Sequence, residues 1–316
     1  MPENKTIFIH IGIPKTASTF LQQKVFSEIP GIQLITLPDT QLDKAFGMLQ
    51  YADDSIYNAS FVKNAIEKRF LPDSKKILIS DEGFSGRLKN LNCINRSLIA
   101  NRLKQIFPDA QILIFLRGQE SMLWAHYSQS IKNTLEIKRI GEYYRHPDFA
   151  NFLNIYSSKN KYQKIGYYSH AGHCSPECFR YYELIHLYKS LFEKVEVILY
   201  EDLIKNPNSI KNKLEVFFNE LLSEKTNDSE KRINQGIYGD KLNKKWFANK
   251  TYFLLRKKWM RNFVYFFYKK RVDHFMKLEK EFIHSVATTF YKEDNLKILK
   301  QYPEIGLSQY PDKYRT

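Results

Sequence analysis

The chain has 316 residues, of which 43% are hydrophobic and 15% aromatic, enough for a sizeable buried core and too much for an intrinsically disordered chain. Lys and Arg number 49 against 34 Asp and Glu, a net charge of +15 that invites an acidic partner (nucleic acid, an anionic membrane surface or an acidic small molecule) without choosing among them. No apolar run approaches the ~20 residues of a membrane-spanning helix, the N-terminus lacks the pattern of a signal peptide, and Cys93, Cys174 and Cys178 are too few and odd in number for a disulfide framework, so a cytoplasmic, reducing setting is expected.

Ile7–Ile11 (IFIHI) reads as the first strand, followed by a helical pattern over about 17–28. The strand Ile32–Leu37 precedes a helix over about 57–70, and Ile77–Ser80 precedes one over about 93–106. Ala110–Leu116 (AQILIFL) leads into a helix over about 119–133, another helix covers about 176–191, and Val195–Tyr200 precedes a last one over about 207–222. Several strands are apolar on both faces, so the fold class is α/β, with a mainly parallel sheet flanked by helices. Beyond about 225 the strand signal stops, and the chain reads as helical, basic and aromatic to about 300. With no internal repeat and no linker, 1–316 is expected to be one domain, an α/β core over about 1–225 carrying a helical basic region over about 226–316.

The strongest local signal runs from His10 through Gly12-Ile13-Pro14-Lys15-Thr16-Ala17-Ser18-Thr19, where a strand passes through a tight loop into a helix. Such a junction offers backbone N–H groups and the positive end of a helix dipole to an anion. Lys15 adds a cation, and Thr16, Ser18 and Thr19 add hydroxyls, a set suited to a phosphate or a sulfuryl group. A nucleoside-triphosphate P-loop needs two glycines four residues apart, followed by Lys and Ser/Thr. Here Lys15 follows Gly12 by three residues and no second glycine is present. The run Ile77-Leu78-Ile79-Ser80-Asp81-Glu82 has the form of a strand ending in a magnesium-binding acid, so a P-loop nucleotide-dependent kinase stays as an alternative.

Pro14-Lys15-Thr16-Ala17-Ser18-Thr19 resembles the 5′-phosphosulfate loop of the sulfotransferase family, whose donor is PAPS (3′-phosphoadenosine 5′-phosphosulfate). The resemblance implies that Lys15, Thr16, Ala17, Ser18 and Thr19 wrap the 5′-phosphate and that Lys15 reaches the sulfuryl group. Ala17 stands where glycine is usual, and a helical backbone there would accept it. Ile112–Arg117 followed by a helix is similar to the family's 3′-phosphate element, which gives Arg117 that role. The usual serine eight residues on is replaced by Ala125, with Ser121 and Ser128 on the same helical face. Tyr200-Glu201-Asp202-Leu203 and Tyr291-Lys292-Glu293-Asp294-Asn295-Leu296 resemble two further segments of the family, so the likeness spans roughly 6–300. Glu201 and Asp202 read as helix-start or packing residues.

Sulfuryl transfer needs a base for the acceptor proton and a cation for the leaving oxygen. Lys15 supplies the cation. Strand Ile77–Ser80 brings Asp81 and Glu82 to the rim where parallel sheets bind ligands, and the resemblance makes Glu82 the base, with Asp81 second. The implied donor is PAPS, the chemistry requires no metal, and the implied acceptor is a hydroxyl on a glycan or lipid-linked glycan. His10 is expected to pack within the sheet, and His126 lies near the 3′-phosphate element. His170, His173, Cys174 and Cys178 have the residue types of a zinc site without its spacing, and 157–175 reads as a loop beside the acceptor. Residues 241–280 hold 13 Lys/Arg against Asp273 and Glu279, which is +11 of the +15. Aromatics interleave with these cations, so peripheral contact with an anionic membrane is one expectation for the segment and packing onto the core the other. Nucleic acid is not the expected partner; a non-catalytic basic binder of nucleic acid or membrane is the remaining alternative.

Overall fold

The computed structural model describes residues 5–37, 40–86, 95–139, 176–222, 239–251 and 257–314. Five strands, β1 (Thr6–Ile11), β2 (Ile32–Thr36), β3 (Lys76–Asp81), β4 (Gln111–Leu116) and β5 (Val195–Leu199), each lie within one residue of the expected bounds. They form one sheet in the order β2-β3-β1-β4-β5, with every pairing parallel. All-parallel sheets are covered on both faces, which is why these strands read as continuous apolar runs.

Alternation along each strand sends side chains to two separate cores. Ile9, Ile11, Ile77, Ile79, Ile112 and Ile114 point to the larger one. It is covered by α2 (Thr40–Tyr51), α3 (Ala59–Glu67), α4 (Arg96–Ile106), α5 (Gln119–Arg139) and α6 (Tyr181–Leu191). Phe8, Leu78, Leu113, Phe115 and Ile198 face the smaller one, closed by the helical segment after β1 and by α8 (Pro207–Phe218). The segment after β1 is less regular than the expected helix. It opens as α1 (Ser18–Phe20), widens to a π-turn at Leu21–Val25 and tightens to a 3-10 turn at Phe26–Glu28. Single π-turns inside helices recur at functional sites.

α2 has no counterpart in the elements expected from sequence. Its buried Leu42, Ala45, Phe46 and Leu49 follow the helical spacing, and Gly47 looks into open space. A short α7 (Tyr200–Lys205) leads from β5 into α8, which starts with Asn206 accepting from the Ser209 N–H and ends at Asn219 in the left-handed conformation. The basic region is helical as expected: α9 (Asp240–Thr251), α10 (Lys258–Phe290) and α11 (Lys292–Gln301). Two 3-10 turns and α12 (Pro311–Tyr314) then return the chain to the core, where Tyr314 is fully buried. No described helix is long and apolar enough to cross a membrane. The expected loop at 157–175, with His170, His173 and Cys174, lies outside the described residues.

Candidate active site

The connections leaving β1 and β4 run to opposite edges of the sheet, so a crevice opens between their carboxyl ends. The loop Gly12–Ala17 and Arg117 occupy it. The loop begins where β1 ends, and two hydrogen bonds hold its start against the end of β3 and the turn that follows it. Gly12 N–H donates to the Asp81 carbonyl at 3.2 Å, and the Ser85 hydroxyl donates to the Gly12 carbonyl at 3.1 Å. A Cβ on Gly12 would sit 3.0 Å from the Cα of Glu82 and 3.2 Å from its Cγ, so only glycine lets Glu82 lie this close to the loop.

The two carboxylates after β3 have separate surroundings. Asp81 is buried and accepts from the Gln50 amide at 2.9 Å and from the Gly83 N–H at 2.7 Å, capping the 3-10 turn Glu82–Ser85. Glu82 is half-buried beside Gly12 and Ser18, at the rim of the crevice. The second base candidate is therefore a structural cap, and Glu82 is the carboxylate next to the loop.

The loop backbone departs from the expectation at Ala17. Ala17 is not helical: it has φ 69° and ψ 23°, and Lys15 has φ 76°, both left-handed. An L-residue in this region costs about 1 kcal/mol or more, so the surroundings must impose it. The Thr16 hydroxyl donates to the Ile13 carbonyl at 2.7 Å, and the Thr16 N–H converges on the same oxygen at 3.3 Å. Thr16 is fully buried and turns the loop from within, while Ser18 makes a longer contact of 3.4 Å to the same carbonyl. The half-buried Thr19 hydroxyl has no partner among the described residues.

From the other side α5 grips the loop. His126, packed on Phe179, lies 3.2 Å from the Pro14 carbonyl, and Lys15 Nζ donates to Gln129 Oε1 at 3.2 Å. Arg117 Nη1 donates to the Lys15 carbonyl and Nε to the Ser121 hydroxyl, both at 2.9 Å, while Tyr200 lies under the guanidinium at 4.6 Å. Of the five donors of the fork, both on Nη2 stay without a partner among the described residues. Ser121 thus engages Arg117 directly, whereas the buried Ser128 hydroxyl has no partner among the described residues. Sequence reasoning missed Gln129 and Tyr200 as loop and arginine partners, since neither belongs to a local motif.

The turn after Arg117 is fixed by the C-terminal segment. Gly118 N–H donates to Glu201 Oε1 at 3.0 Å, and Tyr314 donates to Glu201 Oε2 at 2.7 Å. Tyr310 donates to Asp202 at 2.5 Å, and Tyr181 donates to the Arg117 carbonyl at 2.7 Å. Asn295 pairs its side-chain amide with that of Gln119 at 2.8 and 3.2 Å and donates to the Tyr314 carbonyl. The expected packing role of Glu201 and Asp202 is what this arrangement gives them.

His10 is fully buried, with Nδ1 2.7 Å from the Ser80 hydroxyl and its ring between Phe26 and Phe115. Burial lowers its pKa to about 3, so it is a neutral core residue. Among the described residues no group of three His, Cys, Asp or Glu side chains is placed to hold a metal ion.

The sequence matches no protein-family profile and no curated protein. Among solved structures, a sulfotransferase from Alicyclobacillus acidocaldarius is similar at 17% identity and a TM-score of 0.43, over 82% of this chain and 99% of that one. A sulfotransferase domain from the curacin biosynthetic pathway is similar at 14% identity and a TM-score of 0.39, over 77% of this chain and 83% of that one.

Proposed function

We propose that the chain is a sulfotransferase that moves a sulfuryl group from PAPS to a hydroxyl, the acceptor being a glycan or lipid-linked glycan. The observation that carries this reading is the arginine clamp: Arg117 reaches from the end of β4 to the Lys15 carbonyl and keeps both Nη2 donors open. Phosphate recognition by a fixed guanidinium fork favours this arrangement. Lys15, Ser18, Thr19 and the first-turn N–H groups are the residues that would hold the 5′-phosphate end, and Arg117 with Ser121 the 3′-phosphate. Lys15 and Ala17, left-handed on either side of Thr16, give the loop the alternating backbone in which anion nests occur. The donor site therefore fits the residues present.

When bound, PAPS supplies an activated sulfuryl group. Lys15 would hold the sulfuryl end of the donor and supply the cation that balances charge on its leaving oxygen. Glu82 accepts the proton of the attacking hydroxyl and later returns it to solvent. Transfer is measured as PAP (3′,5′-bisphosphoadenosine) released from PAPS across phenolic, glycan and lipid-linked hydroxyl acceptors. Glu82→Gln is expected to lower turnover about 10²–10⁴-fold while leaving PAP-induced thermal stabilisation intact. Lys15→Ala is expected to lower turnover by about 10²-fold or more, with a smaller effect on PAP affinity. Near-normal turnover in either variant contradicts the assignment, and stabilisation by ATP with Mg²⁺ in preference to PAP would make the chain a nucleotide-dependent kinase.

A further inference from the structure

The basic helix α10 separates two sets of aromatics that the sequence shows only as interleaved. Tyr265 packs inward with Val272, Met276 and Ile283, and Trp246 and Phe247 of α9 are buried with it. Trp259, Phe263, Phe266 and Phe267 are instead 65%, 63%, 76% and 67% exposed. At 100° per residue these four fall in a sector about 100° wide, on the side of the helix opposite the buried residues. Phe267 touches Phe263 at 5.2 Å and Phe266 at 5.5 Å between ring centroids, so these three rings form a contiguous apolar face, with Trp259 one turn before Phe263 in the same sector. Further along the helix the same sector continues as exposed Lys270, His274 and Lys277.

Exposed apolar patches of this kind mark interaction sites, and the surrounding charge selects the partner. Lys270 lies in the same sector one turn beyond Phe266, and Lys257 and Lys258 directly precede Trp259 in the chain; all three are exposed and have no acidic partner among the described residues. We infer that this face of α10 docks on an anionic lipid surface, with the four aromatics entering the headgroup and acyl boundary and the lysines meeting the phosphates. The long Lys stems let their charges stay at the headgroups while the rings go deeper. The helix is too polar to cross a bilayer and has the amphipathic form of one that lies in its surface. Single-stranded nucleic acid also uses cations and aromatics, but it stacks its bases within a basic groove. Here the rings stand on the outer face of one helix.

The full chain is incubated with vesicles of phosphatidylcholine alone or of equimolar phosphatidylcholine and phosphatidylglycerol, at low and moderate salt. Binding is read by co-sedimentation and by Trp259 emission, since Trp246 is buried and Trp124 partly so. The expected result is binding that requires phosphatidylglycerol, weakens with salt and shifts Trp259 emission to the blue. Phe263→Ser with Phe266→Ser and Phe267→Ser should reduce affinity at least about tenfold and abolish the shift. Lys257→Gln with Lys258→Gln and Lys270→Gln should reduce it about fivefold per charge. Both triple variants should keep the wild-type melting temperature, because the altered side chains are exposed. Equal binding to neutral vesicles, no binding at low salt, or undiminished binding by the Phe→Ser variant overturns the inference. A dimer that this variant dissolves, without vesicle affinity in the wild type, would assign the face to a second copy. Binding of a single-stranded oligonucleotide without vesicle affinity would assign it to nucleic acid.

Discussion

Ala17 and Lys15 hold left-handed backbone without being glycine. The sequence places Ala17 within a helix, because a methyl-bearing residue gives no sign of positive φ. The conformation is set by contacts from three directions: Thr16 on Ile13, His126 at Pro14, and Arg117 on the Lys15 carbonyl. Ala17→Gly should therefore stabilise the fold by about 0.5–1 kcal/mol, the relief of strain exceeding the added chain entropy. Denaturant unfolding checks this, and a loss of stability would mean that the Ala17 methyl contributes more by packing than its backbone costs. His10 carries the second residue-scale expectation. Its pKa falls from 6.5 unfolded to about 3 folded, so between those values the unfolded chain binds the extra proton. Stability contributed by neutral His10 is complete above 6.5 and is lost as pH falls toward 3, by about 1.4 kcal/mol per pH unit. The slope of unfolding free energy against pH over that window should be shallower in His10→Gln by about one proton; identical slopes would show that His10 does not titrate on unfolding.

At the scale of elements, the strands were legible because burial on both faces leaves unbroken apolar runs, as in Ile112–Leu116. α2 was not, since Gly47 interrupts it and lowers local helix preference by about 1 kcal/mol relative to alanine. The clamps around the loop were hidden for a different reason. Gln129 is 114 positions from Lys15, and Tyr314 is 113 from Glu201, so only the folded sheet brings them together. The C-terminal segment matters to the candidate site because it braces the turn after Arg117. A Cβ on Gly118 would lie 2.9 Å from the Lys313 carbonyl oxygen and 3.3 Å from Glu201 Oε1. Gly118→Ala should thus cost about 1–3 kcal/mol and loosen the segment from its seat. Tyr314→Phe removes a donor from buried Glu201 and should cost about 1–3 kcal/mol as well. Melting temperature together with hydrogen exchange over 302–314 reads both effects. Unchanged protection in Gly118→Ala would show that the segment accommodates the methyl without moving.

Across the whole molecule the charge divides between two surfaces. Lys15 and Arg117 sit in the crevice between β1 and β4, while 241–280 carry +11 of the +15 on the helical region. That region packs on α5, where Lys280 lies 5.2 Å from the Trp124 ring and His284 meets Glu120 at 2.9 Å. α5 is also the helix whose His126 and Gln129 grip the loop, so the basic region braces the same helix from behind. The division explains why composition alone did not name a partner: one part of the charge suits a bound polyanionic small molecule, the other an extended anionic surface. The most direct test of the central claim is calorimetric titration of the wild type and Arg117→Ala with PAP and with 5′-AMP, which lacks the 3′-phosphate. The account predicts that the wild type prefers PAP and that Arg117→Ala lowers this preference about 10–100-fold, the worth of a charge-assisted phosphate contact. Equal weakening of both ligands would mean that Arg117 only braces the loop, and a wild type with no preference for PAP would contradict the account.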